Sequence, residues 1–404
     1  MSRVIDFFVT FLSSRVLALV FMVSAVIFAV FVRYGGGTIL EAVEVQPTAF
    51  YRPVERVVEA GVPLRRIVVA PDQSVYGVVH PKFQQDDLKL VKIAPDGEIS
   101  PFPNEDWQRV VLKRPTALTI DARGYLWIAE DHMFGLEPAK IMAIDIDNGR
   151  VVVEQVIGRD RLPRGSMLSD MVLSPDGMQL FVADSSPLRL TPILLQWDLN
   201  NGQFATHLTR HSSIQAQRYH AQVDDIPFGA PLRIKVHREG LNALALSENG
   251  QSLIYASAAH NGLFSIPLND LMDANGPSTE ARISKLSKKP WSEAIATDFA
   301  GNVYLADTSA GQILRLAPNG QLTALVPEGT FRWPSGLAFG PGGYLYVSET
   351  ALHIPRWRQA LSDVLDNAPL GLGRWLASQA RGSATDVGKL GVWRIDVGVA
   401  GQPG

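Results

Sequence analysis

The chain runs to 404 residues, 46% hydrophobic and 19% charged, with a formal net charge of -3, a composition too apolar for disorder and too mixed for a many-span membrane protein. That charge leaves no basic excess to neutralise a phosphate backbone, which argues against nucleic acid as a partner. The absence of cysteine excludes disulfides, cysteine-ligated zinc, iron–sulfur clusters and thiol nucleophiles together.

The first element in chain order is the run VLALVFMVSAVIFAVFV from Val16 to Val32, uncharged and flanked by Arg15 and Arg33. Its length falls at the short end of the roughly 17–25 residues that span a bilayer. This predicts a transmembrane helix over about 16–32 within an N-terminal anchor, 1–34. A cleaved signal peptide and a buried core helix are the alternatives; no small-x-small cleavage site follows, and YGGGT opens what reads as a linker, 35–53. Arg3 and Arg15 precede the run while Arg33, Arg52 and Arg56 follow it, so positive charge alone leaves the orientation nearly balanced. By analogy with other anchored domains, the expected arrangement is a single pass through the cytoplasmic membrane with the bulk of the chain on its periplasmic or extracellular side.

From residue 54 to 397 one pattern returns six times: an apolar strand, a turn with Gly or Asp, a second apolar strand, a polar break and a third strand. The first copy is degenerate (IVVAPDQSVYGVVH, then LKLVKIAPDG). Clearer ones follow in ALTIDARGYLWIAED, MVLSPDGMQLFVADS, LALSENGQSLIYASAAHNGLFSIPL, AIATDFAGNVYLADTSAGQILRLAPNG and GLAFGPGGYLYVSET. Short runs rich in Val, Ile, Leu and Tyr between Gly, Asp and Asn clusters read as strands, and small repeated sheets that cannot bury both faces alone pack radially. The fold expected is all-β: a six-bladed β-propeller preceded by one N-terminal transmembrane helix. Few residues remain after GVWRIDV to supply a fourth strand for the last blade. VERVVEAG, residues 54–61, is therefore expected to complete it and lock the ring, leaving 398–404 as a tail.

Propeller geometry sorts the polar residues onto one face. Just before or at the start of each inner strand stand Arg65, Thr116, Ser169, Asn242, Glu293 and Ser335, which should ring one mouth of the channel. The second strands end on the same face and contribute His80, Asp131, His132, Asp184, Ser185, His260, Asn261, Asp307, Thr308 and Glu349. Strand ends need polar groups to cap turns, so a single member is commonly structural; their convergence on one mouth makes that mouth the candidate site.

The turns LSPDG and endings such as VADS resemble the superfamily of the SMP-30/gluconolactonase, strictosidine synthase-like and paraoxonase six-bladed propellers. THLTRHSSIQAQ, HNGLFSIPLNDL and WPSGLAFGPGGYLYVSETALH are similar to the yellow and major royal jelly group in its bacterial form. The lactonase members imply a central divalent cation, usually calcium, held by Glu, Asn and Asp at inner-strand starts. Asn242 and Glu293 fall on matching positions and Asp170 lies one residue beyond its own, whereas Arg65 stands where acidic residues are usual. VVHP around His80 looks like a paraoxonase segment that supplies a histidine near the metal, which implies a general base, with His132 and His260 as alternatives in the same mouth.

Two further stretches interrupt the repeats. In the last blade, about 356–386, Trp357, Ala360, Leu361, Val364 and Leu365 recur at helical spacing up to Pro369, and Trp375 and Leu376 open a second short segment. These helices either cap the channel, touch the bilayer or pack on a neighbouring blade. Residues 209–240 carry His211, His220, Asp224, Asp225 and His237, whose spacings match no standard metal-ligand set. The function expected is a calcium-dependent hydrolase of the lactonase or arylesterase type, acting on a lactone or ester at the channel mouth. The alternatives are a non-catalytic propeller binding a small ligand or protein partner, and a scaffold subunit of a membrane complex.

Overall fold

The computed structural model describes residues 2–34, 37–85, 87–131, 136–223, 226–227, 238–272, 282–350, 352 and 390–402. His132, Asp224, Asp225, His237 and the 356–386 insertion lie outside them.

The hairpin turns recur because a short acceptor side chain holds each one. Asp72, Asp121, Asp176, Asn249 and Asp298 each accept from the backbone N–H two residues on, at 2.9–3.0 Å, the local bond that makes Asx residues turn formers. Left-handed backbone follows at Gly124, Gly177, Gly250 and Gly301, with φ from 68 to 82°. The first repeat has Gln73 there instead, at φ 69°, which is why its sequence reads as degenerate although its turn does not.

Six four-stranded antiparallel sheets result. Their innermost strands are Leu64–Val69, Pro115–Ile120, Leu168–Leu173, Leu241–Leu246, Ile295–Thr297 and Pro334–Phe339, for blades 1 to 6 in order. Apolar side chains fill the spaces between neighbours: Trp127 of blade 2 meets Trp197 of blade 3 edge-on at 6.1 Å, and Tyr304 of blade 5 meets Phe339 of blade 6 at 5.4 Å. All four rings are buried, each removing some 150–250 Å² from water. Blade 6 takes its outer strand from the N-terminal side, where Val54–Glu59 pairs antiparallel with Gly391–Asp396. Ser335 and Ser348 then donate to Leu64 O at 3.1 and 3.0 Å, joining blade 6 to blade 1.

The N-terminal helix, α1, extends over Ser2–Tyr34, longer at both ends than its apolar run. Arg15–Arg33 is long and apolar enough to cross a membrane, with mean hydropathy 2.7 and none of it buried against the propeller. The linker is not slack. Thr38–Ile39 pairs parallel with Tyr219–His220, and Gln46 bridges Thr323 on the outer strand of blade 5.

Candidate functional site

Five of the six inner strands carry a register shift after their first residue, and the extra residue is Arg65, Thr116, Ser169, Asn242 or Ser335. These are the ring positions expected from the repeats. A bulge puts two residues opposite one and re-aims a side chain, so the shift turns one residue per blade toward the mouth and the next toward the axis.

The next residues along are Arg66, Ala117, Asp170, Ala243, Ala294 and Gly336. Arg66 is buried and donates to Arg65 O (3.2 Å) and Ser335 O (2.8 Å) through one nitrogen, and to Asn242 O (2.6 Å) and Glu293 O (2.8 Å) through the other. Its Nε lies 3.5 Å from an Asp170 carboxylate oxygen. A guanidinium that touches blades 1, 3, 4, 5 and 6 can only stand on the axis. Small neighbours make the room: at Gly336 a Cβ would come within 2.4 Å of Ser348 Oγ and 3.4 Å of Arg66 Cα. Below this plug a narrow space of about 40 Å³ extends past Ile67, Leu118, Met171 and Phe339, room for a few waters. At the far end Gln402 closes the channel by donating to Ser247 O and Glu248 O.

In place of an open funnel, the axis is closed by an arginine plug, and the ring residues around it are buried. Of that ring, Thr116 donates to Ala129 O within its own blade, while Ser169 donates to Ala183 O and to Leu241 O of blade 4, and Ser335 to Leu64 O of blade 1, so the two serines bind neighbouring blades to one another. Arg65, Asn242 and Glu293 are left to face the mouth. Arg65 pairs with Glu239 at 3.5 Å. Asn242 is fully buried, and neither Oδ1 nor Nδ2 has a hydrogen-bond partner among the described residues. Glu293 is pushed up to about 6 by burial and by Glu239, against the pull of Arg65 and Arg66 and of the Trp333 indole N–H. Trp333 itself is wholly buried with φ 128°, a conformation a bulky residue holds only where its surroundings impose it.

The histidines cap turns. His80 Nδ1 accepts from Lys82 N (3.2 Å) and His260 Nδ1 from Gly262 N (2.8 Å). In each neutral ring the proton therefore sits on Nε2, and the basic lone pair is already engaged. Burial, with Lys289 and Lys285, lowers His260 further, to about 4. The acidic strand ends are tied down in the same manner. Glu130 accepts from Lys113 N and Arg114 N, Asp184 from Met167 N, and Glu349 from Arg332 N, each holding the segment that leads into its own inner strand.

A divalent cation at this mouth would need several hard oxygen donors and a net negative shell. Asn242 and Glu293 could supply two donors, but Asp170 neutralises Arg66 and also accepts from Met171 N and Leu244 N. Arg65 and Arg66 bring two positive charges beside Glu293. Among the described residues no group of three or more His, Cys, Asp or Glu could hold a metal. The described residues do not fit a divalent cation, because Asp170 is taken up by Arg66 and two guanidiniums act on Glu293.

Sequence reasoning missed Arg66, Glu239 and Trp333. The first had a visible signal: LRRIVV puts two adjacent arginines in an apolar strand, and buried arginines require partners.

A luciferin-regenerating enzyme matches over 87% of this chain and 98% of its own, with TM-score 0.53 and 14% identity. The calcium-binding protein regucalcin from Agrobacterium tumefaciens matches over 88% and 98%, with TM-score 0.54 and 13% identity. The chain is a six-bladed propeller and shares its fold with these two proteins. At these identities the likeness is one of fold. No protein-family model matches the chain, and no curated protein matches its sequence.

Proposed function

We propose that this propeller is a membrane-tethered binding protein for a small oxygen-rich compound, a lactone, ester or hydroxy acid, taken at the mouth without a metal. The observation that carries this is the buried Asn242 amide, whose two polar atoms have no partner among the described residues, beside a Glu293 carboxyl that burial pushes up. A buried amide left unpaired costs about 1–3 kcal/mol; a ligand carbonyl accepting from Nδ2 and a ligand hydroxyl donating to Glu293 would relieve that cost. Arg65, paired with Glu239, supplies the fixed positive charge that a cation supplies in calcium-binding relatives of the fold. α1 would hold the protein in the cytoplasmic membrane as a single pass, with the propeller on the periplasmic or extracellular side; its wholly exposed apolar stretch supports that.

Hydrolysis is the second reading, favoured by Glu293. A carboxyl titrating near neutrality is suited to proton transfer, and it would act on a water beside a carbonyl held by Asn242. Calorimetry and turnover assays on a panel of lactones, aryl esters and hydroxy acids, in chelator and in calcium, separate the possibilities. Binding in chelator that is lost in Asn242→Ala supports the proposal, and turnover in chelator supports the second reading. Turnover only with calcium would restore the metal-dependent hydrolase, and no binding to any member would sink the mouth as a site for this class.

A further inference from the structure

We propose that the mouth face of the propeller lies flat on the membrane that holds α1, with anionic lipid headgroups as its partner. This rests on α1 being inserted, as proposed above. The anchor ends on the mouth face. Arg33, at the end of the apolar run, donates to Arg189 O at 3.0 Å, and Arg218 donates to Val32 O at 3.4 Å. Thr38 N then donates to Arg218 O at 3.0 Å, so the tether has no length in which to swing away. Arg189 and Arg218 belong to the connections 185–192 and 208–240, which join strands at the end where the inner strands begin. A residue that closes a membrane span sits at the headgroup layer, and its direct contacts place these loops there too.

Charge on the two faces points the same way. Around the anchor the mouth face presents Arg159, Arg161, Arg164, Arg210 and Arg218, all exposed. In the described residues of the connections 158–167, 185–192 and 208–240 the only carboxylates are Asp160, paired with Arg161, and Glu239, paired with Arg65. The opposite face presents exposed Asp72, Asp96, Asp147, Asp176 and Asp396 at its turns, against exposed Arg123 and Arg150. An anionic leaflet attracts the first set and repels the second over about a Debye length, roughly 8 Å at physiological salt. The two faces would therefore not be interchangeable against a bilayer. The ligand path to Asn242 and Glu293 runs along the headgroup layer.

The absence of native cysteine makes the test direct. Arg164→Cys on the mouth face and Asp147→Cys on the opposite face, each in the full chain, are labelled with a donor dye and reconstituted into phosphatidylglycerol–phosphatidylcholine liposomes carrying a short-range acceptor on the headgroups. Energy transfer should be about threefold or more stronger from position 164, and raising salt or omitting phosphatidylglycerol should weaken it, since the attraction is screened. Equal transfer from the two positions in protein that floats with the vesicles, or stronger transfer from 147, overturns the orientation and leaves insertion standing. Labelled protein that does not float overturns insertion itself.

Discussion

Replacing Arg66 with methionine should be among the most damaging single changes in the propeller. The substitution keeps most of the side-chain volume but removes the donors to Arg65 O, Ser335 O, Asn242 O and Glu293 O. It also leaves Asp170 without its counter-charge. Breaking a buried ion pair by removing one partner costs about 3–5 kcal/mol, a large fraction of the roughly 5–15 kcal/mol by which a domain is stable. Asp170 is raised by burial and lowered by Arg66, so in the variant its carboxyl should take up a proton at higher pH. A raised carboxyl adds stability below its unfolded pKa and loses it as pH rises through the folded one. The penalty should accordingly be smaller at acid pH than at pH 8. Urea unfolding of the full chain in detergent, followed by tryptophan fluorescence, reads the effect. Arg66→Met with Asp170→Leu should recover about 2 kcal/mol relative to additivity, because the uncompensated charge is gone. A single variant within about 1 kcal/mol of the parent, or strict additivity of the pair, would refute the arginine plug.

Gly336→Ala should destabilise by about 1–3 kcal/mol, since its Cβ meets Ser348 Oγ at 2.4 Å and the Arg66 backbone at 3.4 Å; urea midpoints check this. Glu293→Gln should stabilise the protein above pH 6 and flatten its stability between about 4.5 and 6. The native carboxyl, pushed up to about 6, loses its proton there at a cost that the unfolded chain does not share. Thermal unfolding across that window measures the slope, and an unchanged slope would count against the assigned environment of Glu293. His260 is lowered to about 4, so its contribution runs in the opposite sense. Stability should be lost as pH falls from about 6.5 toward 4, because the unfolded ring takes up a proton that the folded one, whose Nδ1 accepts from Gly262 N, resists, and His260→Gln should remove that part of the acid sensitivity.

What could be seen in the sequence was whatever repeats. Five Asx turns, six inner strands and the shortfall after GVWRIDV are local or countable, and they led to the blades and to the closing strand Val54–Glu59. The ring positions were also legible because each follows from its place in a repeat. Which ring members do chemistry was not. Ser169 and Ser335 turned out to bond across blades, contacts between residues up to 271 apart along the chain that no periodicity carries. LRRIVV flagged a pair of buried arginines, but which of the two stands on the axis became visible only with the bulge at Arg65, and Glu239 only through its long-range pairing with Arg65. The same bulges explain why Asp170, one residue beyond its ring position, meets Arg66.

The claim that the described mouth residues do not fit a divalent cation is tested most directly by titrating calcium into the chelator-treated chain in a calorimeter, with thermal unfolding alongside. The account predicts no binding heat and an unchanged melting temperature at millimolar calcium. A site occupied a hundredfold above its dissociation constant would instead add about 2.7 kcal/mol, and such a rise, abolished in Asn242→Ala and Glu293→Ala, would contradict it.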